Sequence, residues 1–331
     1  MKKFITHVLL FAVLFSGVLA GIKLSVPYYW GANDDFITKT KYLQTNDKKF
    51  ERIIFGSSMT LRAIKPFVFD ENTKSDLETF NLSAAHTFHF ETKYLLKNFI
   101  SDYPSKEIIF LVQKPTPIHD KNLHSVSSKY YLNLETFWEA AKFYKSDQHQ
   151  LYNYTLSFIE NILCIGEIVP IIEYHIKNTN PQNKNQKINQ KRGYYSLEQV
   201  LKDSDNKDLS LLKRKKFFKN KKIPPLHKRK MNISRYGNKE QRATYIESLK
   251  DVNNIIEEKG MEVVFLVMPN DPIFKLLDKE DLTYLYMGSA KSFPQYFSKK
   301  FKFDVGHLNE RGALLFSKKM GRKYDRISNN N

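Results

Sequence analysis

The N-terminal segment is the feature that most constrains this chain. Lys2 and Lys3 precede an apolar run at residues 4–22, about 19 residues long and interrupted only by small or weakly polar residues and His7. A helix of that length spans a hydrocarbon core of about 30 Å. We therefore predict a membrane helix within residues 1–24. The leading lysines place the N-terminus in the cytoplasm and the rest of the chain outside it, in the periplasm or at the cell surface.

A cleaved signal peptide is the alternative for this segment. Val18, Leu19 and Ala20, followed by Gly21, resemble a small-residue cleavage site, and cleavage would release a secreted protein. We favour a retained anchor because the apolar run is longer than the usual core of a signal peptide. No cysteine lies near position 20, which excludes a lipoprotein anchor. A buried helix of a soluble protein is disfavoured by the position of the run behind two lysines.

Composition narrows the fold and the partners. A chain of 331 residues with 41% hydrophobic content can bury one substantial core and carry an insertion. Its net charge of +18 draws anionic polymers, anionic lipid headgroups or nucleic acid, although compositional drift of a genome explains such a charge equally well. The single cysteine, Cys164, excludes a disulfide framework and a cysteine-based zinc site, and we expect a buried thiol there.

Apolar strands alternate with amphipathic helices on both sides of a long central segment. We predict strands at residues 50–55, 77–82, 107–112 and 262–268, and a helix at residues 239–259 that stops at Gly260. Short, wholly apolar strands are typical of a parallel sheet that is buried on both faces. This pattern predicts an α/β fold with a mainly parallel central sheet, and we assign residues 25–47 to a stalk and residues 48–331 to the folded domain.

The central segment, at about residues 116–237, does not follow this alternation and is predicted to be a helical, basic insertion. Residues 130–144 and 151–176 have helical patterns, and residues 178–191 form a polar tract that is typical of a loop. Residues 213–230 contain ten Lys or Arg and two phenylalanines. Two interpretations of this stretch remain open, a solvated charged linker or a contact with anionic headgroups or an anionic glycan, for which the first four cations are candidates: Lys213, Arg214, Lys215 and Lys216.

The first chemical motif follows the strand at residues 50–55. Gly56, Ser57 and Ser58 lie at a strand-to-helix junction, where binding sites of open α/β folds form. Glycine permits a sharp turn, and the free N–H groups of the next helix point toward any oxyanion that forms near Ser58. A Gly-Ser-Ser turn that only caps a helix is commoner, so this motif alone does not establish catalysis.

The second motif lies about 250 residues later. His307 follows Asp304 by three positions and precedes a helix that Asn309 can cap. An aspartate in that place can bond one ring nitrogen and fix the tautomer, while the other nitrogen takes a proton from a serine. A surface salt bridge or a satisfied loop histidine is the alternative for an isolated pair of this kind.

Taken together, Gly56-Ser57-Ser58-Met59 and Asp304-Val305-Gly306-His307 resemble the first and last blocks of the SGNH (GDSL-like) hydrolase family. The resemblance covers about residues 48–115 and 239–322. It implies a three-layer α/β/α sandwich of flavodoxin-like type, with Ser58 as nucleophile, His307 as base and Asp304 as its partner. It implies no cofactor and no metal, and His86 and His89 lack a third ligand for a metal site.

This sequence departs from the family pattern in three places. Ser83 replaces the oxyanion glycine of the second block, although its backbone N–H could serve, and Gln113 stands where the third block has asparagine. Ser57 replaces the usual aspartate of the first block. Gly-Ser-Ser variants behind an N-terminal anchor look more like the acyl-transfer branch, which includes the teichoic-acid D-alanyl transfer protein and the alginate acetyltransferases. Asp271, after the strand at residues 262–268, is a minor candidate for substrate contact.

Three functional hypotheses follow. The first is acyl transfer to an envelope or exported polysaccharide, with a multipass membrane acyltransferase as the expected protein partner. The second is a carbohydrate or lipid esterase that uses the same residues. The third is a catalytically inactive envelope scaffold that binds glycan or membrane through the basic insertion. Nucleic acid is not an expected partner because the domain would lie outside the cytoplasm. A neighbouring gene for a multipass acyltransferase would favour the first hypothesis.

Overall fold

The computed structural model describes residues 1–115, 118, 125–177, 188–205, 207–222 and 231–328. The chain divides into two compact units. The anchor unit consists of Met1–Ala32 and Pro117–Asn180, and the sheet unit consists of Asn33–Thr116 and Pro181–Asn331. The long segment that the sequence sets apart as one insertion is therefore shared between the two units.

A five-stranded, all-parallel sheet forms the centre of the sheet unit, with strand order β2-β1-β3-β4-β5. Its strands are β1 (Arg52–Phe55), β2 (Thr79–Asn81), β3 (Glu107–Leu111), β4 (Glu262–Val267) and β5 (Tyr284–Tyr286). Every residue of β1 and β3 is buried, including Arg52 and Glu107 at their starts, and the apolar remainder of each strand is typical of a parallel sheet. The predicted α/β class and parallel sheet are confirmed, whereas the three-layer arrangement remains a prediction.

Helices flank the strands along the chain. Those of the sheet unit are α2 (Asp34–Thr45), α3 (Ser58–Leu61), α4 (Pro66–Asp70), α5 (His89–Asp102), α10 (Leu197–Asp203), α11 (Leu209–Asn220), α12 (Lys239–Glu257), α13 (Phe274–Leu277) and α14 (Glu310–Ser328). In α2, Phe36 and Leu43 are buried, so the part of the chain assigned to a stalk contains a helix with an apolar packed face. The helix predicted at residues 239–259 is present as α12, and Gly260 follows it with φ +71°.

The core of the sheet unit joins the first and last parts of the chain. Ile54, Ile109 and Leu266, from three neighbouring strands, share one apolar cluster with Phe316 and Met320 of α14. Burying side chains of this size stabilises the fold by about 1.5–3 kcal/mol each. The two sequence motifs therefore lie on elements that one continuous core holds together.

Both edges of the sheet are covered. At the β2 edge, the N–H of Asn81 donates to the carbonyl of Arg192 at 2.9 Å. Gly193 (φ +82°) packs so closely there that a Cβ would lie 2.1 Å from the Asn81 carbonyl oxygen. At the β5 edge, Lys323 of α14 donates to the carbonyl of Tyr286 at 2.9 Å.

The anchor unit is helical in its described residues. It contains α1 (Lys2–Leu24), α6 (Val126–Lys129), α7 (Leu134–Tyr144), α8 (Gln148–Ile162) and α9 (Ile168–Lys177). Within the described residues, α1 is the helix that is long and apolar enough to cross a membrane, with a mean hydropathy of 2.2. The prediction of an N-terminal apolar helix is confirmed at this level, and a signal sequence passes the same test.

Two predictions for the central segment fall partly outside the described residues. The predicted helix at residues 151–176 is present as α8 and α9, which a turn at residues 163–167 separates. Residues 178–187 of the predicted loop and residues 223–230 of the basic stretch lie outside the described residues. The first part of the basic stretch belongs to α11.

Candidate active site

Ser58 lies at the carboxyl edge of the sheet, on the turn between β1 and α3. It is the first residue of α3, and the side chain of Ser57 caps the helix by accepting from the N–H of Met59 at 3.3 Å. Gly56 is required just before this turn because a Cβ would lie 2.7 Å from Cβ of Leu111. Close packing of β1 against β3 thus fixes the direction in which the chain leaves the sheet.

The loop before α14 positions the histidine. Asp304 accepts from the backbone N–H groups of Gly306 at 2.8 Å and His307 at 2.9 Å. Asn309 accepts from the N–H of Gly312 at 2.9 Å, a helix-capping bond at the start of α14. These bonds hold the imidazole in place without any contribution from a ligand.

Ser58, His307 and Asp304 form a continuous hydrogen-bonded chain. Nε2 of His307 lies 2.9 Å from Oγ of Ser58, and Nδ1 lies 2.9 Å from Oδ1 of Asp304. Burial by itself raises the pKa of Asp304, but the hydrogen bond and charge interaction with His307, the N–H of Gly306 and Arg214 outweigh it. The pKa of this carboxyl is therefore well below its ordinary value. An ionised Asp304 favours a proton on Nδ1 and leaves Nε2 free to accept from Ser58.

A fourth residue joins this chain from α11. The guanidinium of Arg214 forms an ion pair with Oδ2 of Asp304, and its Nη2 lies 3.1 Å from Nδ1 of His307. Arg214, with Lys213, Lys215 and Lys216, is a candidate for contact with an anionic surface or polymer, and that role remains a prediction. All four side chains are exposed, and Arg214 also reaches Asp304. Sequence alone does not distinguish these four neighbouring cations. The rotational position of each side chain on α11 determines which of them reaches Asp304.

A cavity of about 570 Å³ opens beside Ser58. Its lining comes from the β1–α3 turn, residues 86–88, residues 112–114 after β3, residues 268–271 after β4, and the segment at residues 296–306. These segments follow the carboxyl ends of three adjacent parallel strands, where open α/β sheets bind ligands.

The two residues expected to supply oxyanion donors are engaged elsewhere. Ser83 is fully buried, does not line the cavity, and donates its N–H to Oδ1 of Asn81 at 3.1 Å. Gln113 lines the cavity, but its Nε2 donates to Oγ1 of Thr92 at 3.0 Å. The backbone N–H of Ser58 finds no acceptor within the described part of the chain. Free N–H groups are expected at the first position of a helix, and this one adjoins the reacting oxygen.

The two histidines considered as a metal pair are in different surroundings. His89 is fully buried and its Nε2 lies 2.6 Å from Oγ of Ser248. His86 lines the cavity with φ +62°, and burial, followed by the charges of Arg214 and His307, lowers its pKa. No group of three His, Cys, Asp or Glu side chains that could hold a metal occurs among the described residues.

Asp271 and Arg235 form a second charged pair at the cavity. Of the two, only Asp271 was predicted from the sequence. Asp271 is buried, accepts from the hydroxyl of Tyr236 at 2.9 Å and pairs with the guanidinium of Arg235. Arg235 itself lines the cavity. The buried carboxylate therefore holds a cation at the rim, and no local pattern around Arg235 predicted that position.

Comparison with known proteins gave no relatives: no protein-family model matches the chain, and neither the curated proteins nor the solved structures gave a match.

Proposed function

We propose that this protein is a serine-dependent acyltransferase or esterase of the SGNH type that acts on a cell-envelope or exported polysaccharide. The observation that carries the proposal is the hydrogen-bonded chain from Ser58 through His307 to Asp304, at the mouth of a cavity. A serine, a histidine and a carboxylate in this order activate a hydroxyl for attack on a carbonyl carbon.

The proposed reaction has two steps. Oγ of Ser58 attacks the acyl carbonyl while Nε2 of His307 takes its proton, and collapse of the tetrahedral intermediate expels the alcohol, which receives that proton. An acceptor hydroxyl, from a sugar or from water, then attacks the acyl-enzyme. His307 takes the acceptor's proton and returns it to Ser58 as the ester bond to the enzyme breaks. Asp304 stays ionised and stabilises the imidazolium in both steps.

The backbone N–H of Ser58 is the oxyanion donor that the geometry favours. It adjoins the attacking oxygen and makes no bond to another described residue. Removing a single donor of this kind typically costs about 2.7–4 kcal/mol of transition-state stabilisation. The assignment of Ser83 to this role is replaced here because its N–H already bonds to Asn81.

Arg214 acts as a positioning residue in this mechanism. Its guanidinium bonds the Asp304 oxygen that His307 approaches less closely, so the carboxylate is held from both sides. Its Nη2 also lies 3.1 Å from Nδ1 of His307, so the guanidinium contacts both members of the Asp304–His307 pair. The basic stretch thus contributes to the reaction through one residue.

The cavity lining supports a substrate that carries both an apolar acyl part and an anionic part. Lys114, Arg235 and Lys302 contribute positive charge to the lining, and the apolar wall includes Met59, Phe88, Val112, Met268 and Phe297. A volume of about 570 Å³ suits a small acyl group with one or two sugar units. We infer an acidic glycan as the acceptor or the ester-bearing substrate.

The proposal extends to location and architecture. We propose that α1 is retained as an anchor in the cytoplasmic membrane, with the sheet unit outside the cytoplasm and a multipass membrane acyltransferase as the acyl donor's source. We also propose that helices cover both faces of the sheet, as in an α/β/α sandwich. The clearest support for the anchor is the length and hydropathy of α1.

Active-site labelling tests the proposal. A fluorophosphonate probe should label the full-length protein in detergent, and Ser58→Ala should abolish the label because the attacking oxygen is gone. Ser57→Ala is the matched control: it removes a helix cap worth about 1 kcal/mol but leaves Ser58, so the label should persist. Labelling of a correctly folded Ser58→Ala protein at the wild-type rate would overturn the assignment.

Esterase activity is the second candidate, because water can replace the sugar hydroxyl in the second step. An activated acetyl ester offered with and without an acidic polysaccharide separates the two. Acetyl groups on the polymer establish transfer, whereas acetate release that is independent of the polymer establishes hydrolysis.

A further inference from the structure

The turn between α8 and α9, together with α9 itself, exposes many aliphatic side chains. An apolar surface of this kind is unfavourable in water. In residues 159–176, eight Ile, Leu or Val side chains are exposed, among them Val169 at 65% and Ile176 at 75%. A contiguous exposed apolar surface on a protein marks a contact with another phase or another molecule. The exposed set is Ile159, Ile162, Leu163, Ile165, Ile168, Val169, Ile172 and Ile176.

The exposed aliphatic side chains of α9 lie on one side of the helix. At 3.6 residues per turn, Ile168, Val169, Ile172 and Ile176 fall within an arc of about 100°, whereas Ile171 lies outside that arc and is buried. The helix therefore has one face packed in the anchor unit and one apolar face without a partner among the described residues.

Contacts with α1 determine where this surface lies along the length of α1, and therefore how deep it lies in a bilayer that α1 spans. Sγ of Cys164, in the α8–α9 turn, donates to the carbonyl of Leu19 at 3.8 Å. One turn later, Lys23 of α1 donates to Asn161 at 2.6 Å and pairs with the buried carboxylate of Glu167. Leu19 precedes Lys23 by four residues, so the turn reaches about 6 Å further toward the N-terminal end of α1 than Lys23 does.

We propose that the α8–α9 turn and the apolar face of α9 are inserted in the outer leaflet as a second membrane contact, with lipid acyl chains as the occupant. The 23 residues of α1 are about 34 Å long, slightly more than a hydrocarbon core, so Lys23 reaches the interface when α1 spans the bilayer. A turn that touches Leu19 then lies below that interface. Its exposed Leu163 and Ile165 face acyl chains, at a depth typical of interfacial helices.

The inference rests on α1 spanning a bilayer and is independent of the chemistry at Ser58. It concerns a different surface from the basic stretch at residues 213–230, for which contact with anionic headgroups is one of the open interpretations. Lipid is favoured over a protein partner because the exposed surface continues directly from a helix that lipid already surrounds: only 6% of the apolar window of α1 is buried.

Depth-dependent quenching tests the proposal in the full-length protein. Cys164→Ser retains a donor for the Leu19 carbonyl and provides a cysteine-free background, because Cys164 is the only cysteine. Single cysteines at Val169 and Ile172, each carrying an environment-sensitive fluorophore, report on α9. Val13→Cys in α1 is the control inside the membrane. Gln148→Cys, at the far end of α8 and about 21 Å from Ile162, is the control outside it.

In vesicles that contain chain-brominated lipid, the labels at positions 169, 172 and 13 should emit at shorter wavelength and lose most of their intensity. The label at position 148 should keep its intensity. Quenching at position 13 with none at 169 or 172 would overturn the proposal in favour of a protein partner on this face. Absence of quenching at position 13 would overturn it as well, since α1 would then not be in lipid.

Discussion

The two units of this protein both bury charged groups but differ in the apolar groups that they expose. In the sheet unit Arg52 and Lys39 have no exposed surface, and each has a hydrogen-bond partner. In the anchor unit Lys129 and Glu167 are buried as well. The anchor unit exposes aliphatic side chains along α1 and on α8 and α9. A single aqueous solvent explains the first unit only, because exposed aliphatic surface on this scale is unfavourable in water. The difference supports the proposal that the exposed aliphatic surface of the anchor unit contacts lipid.

Charge inside the sheet unit serves two purposes. Arg52 donates to the carboxylate of Glu107 at 2.7 Å in a buried pair, which is structural. Asp304 is also buried, but its partner His307 contacts the cavity-lining Ser58. Variants that remove charges of each type, or apolar groups of the anchor unit, test this difference between the two units.

The largest expected effect concerns the Asp304 and His307 pair. Either Asp304→Asn or His307→Ala should lower the rate of acyl-enzyme formation by roughly 10³–10⁴-fold. Because the two residues act through one proton relay, the double variant should lose little more than the worse single variant. Probe-labelling rates give the measurement, and strictly multiplicative losses would contradict a shared relay.

Lys39 should make the stability of the sheet unit depend on pH. Burial lowers its pKa from 10.5 to about 7, an effect that Asp35 partly offsets and Arg62 reinforces. Between these two values the unfolded chain binds more protons than the folded one, so the free energy of unfolding should rise with pH. The slope from one group is at most about 1.4 kcal/mol per pH unit.

Denaturant unfolding between pH 7 and 10.5 measures this slope. In Lys39→Met the charge is gone, and the variant should lack the contribution. Exposed Lys41 of α2 provides the matched control, since Lys41→Met should leave the slope as in the wild type. Equal slopes for the wild type and Lys39→Met would show that Lys39 is not charged differently in the two states.

Arg214→Gln should have a smaller and more specific effect. Loss of the second clamp on Asp304 should reduce the labelling rate about tenfold, which corresponds to about 1.4 kcal/mol. The rate of fluorophosphonate labelling of Ser58 measures this effect.

The control for Arg214 is Lys213→Gln, one position earlier and exposed, which should leave the labelling rate unchanged. An equal labelling rate for Arg214→Gln and the wild type would show that Arg214 does not position Asp304.

The smallest effect is expected on the exposed face of α9. In detergent, Ile172→Ser should change the free energy of unfolding of the anchor unit by no more than about 0.5 kcal/mol, because about half of the Ile172 side chain is already exposed. Its neighbour Ile171 is buried, and Ile171→Ala should cost about 2–5 kcal/mol. Similar losses of unfolding free energy for the two variants would mean that Ile172 packs within the protein. The anchor unit would then not differ from the sheet unit at this position.

The sequence predicted the parts of the fold and site that depend on local pattern. The four predicted strands are present, and Ser58 and His307 meet at 2.9 Å, because a strand-to-helix turn and a capped helix start both have short signatures. Strand β5 was missed because Tyr284–Tyr286 is three residues long and its two tyrosines are only partly buried. Such a strand has no periodicity to detect.

The rest could not be predicted because it depends on which distant residues meet. Arg214 reaches Asp304 across 90 positions. The Asn81 side chain accepts from the N–H of Ser83 while it donates to the carbonyls of Thr60 and Ile64, which are about 20 positions away. The helix containing Ile172 was expected, but its exposure depends on the packing of α9 beside α1. Sequence pattern gives the elements, whereas three-dimensional packing determines their partners.

The covered sheet edges have a consequence for how copies of this chain behave beside one another. The Arg192 carbonyl already accepts from the N–H of Asn81 at one edge, and Lys323 donates to the carbonyl of Tyr286 at the other. An uncovered edge strand is a template for intermolecular β-pairing. Each of these bonds engages a backbone group that a strand of a second copy would otherwise need, so side-by-side pairing of two copies through their sheets is disfavoured at both edges.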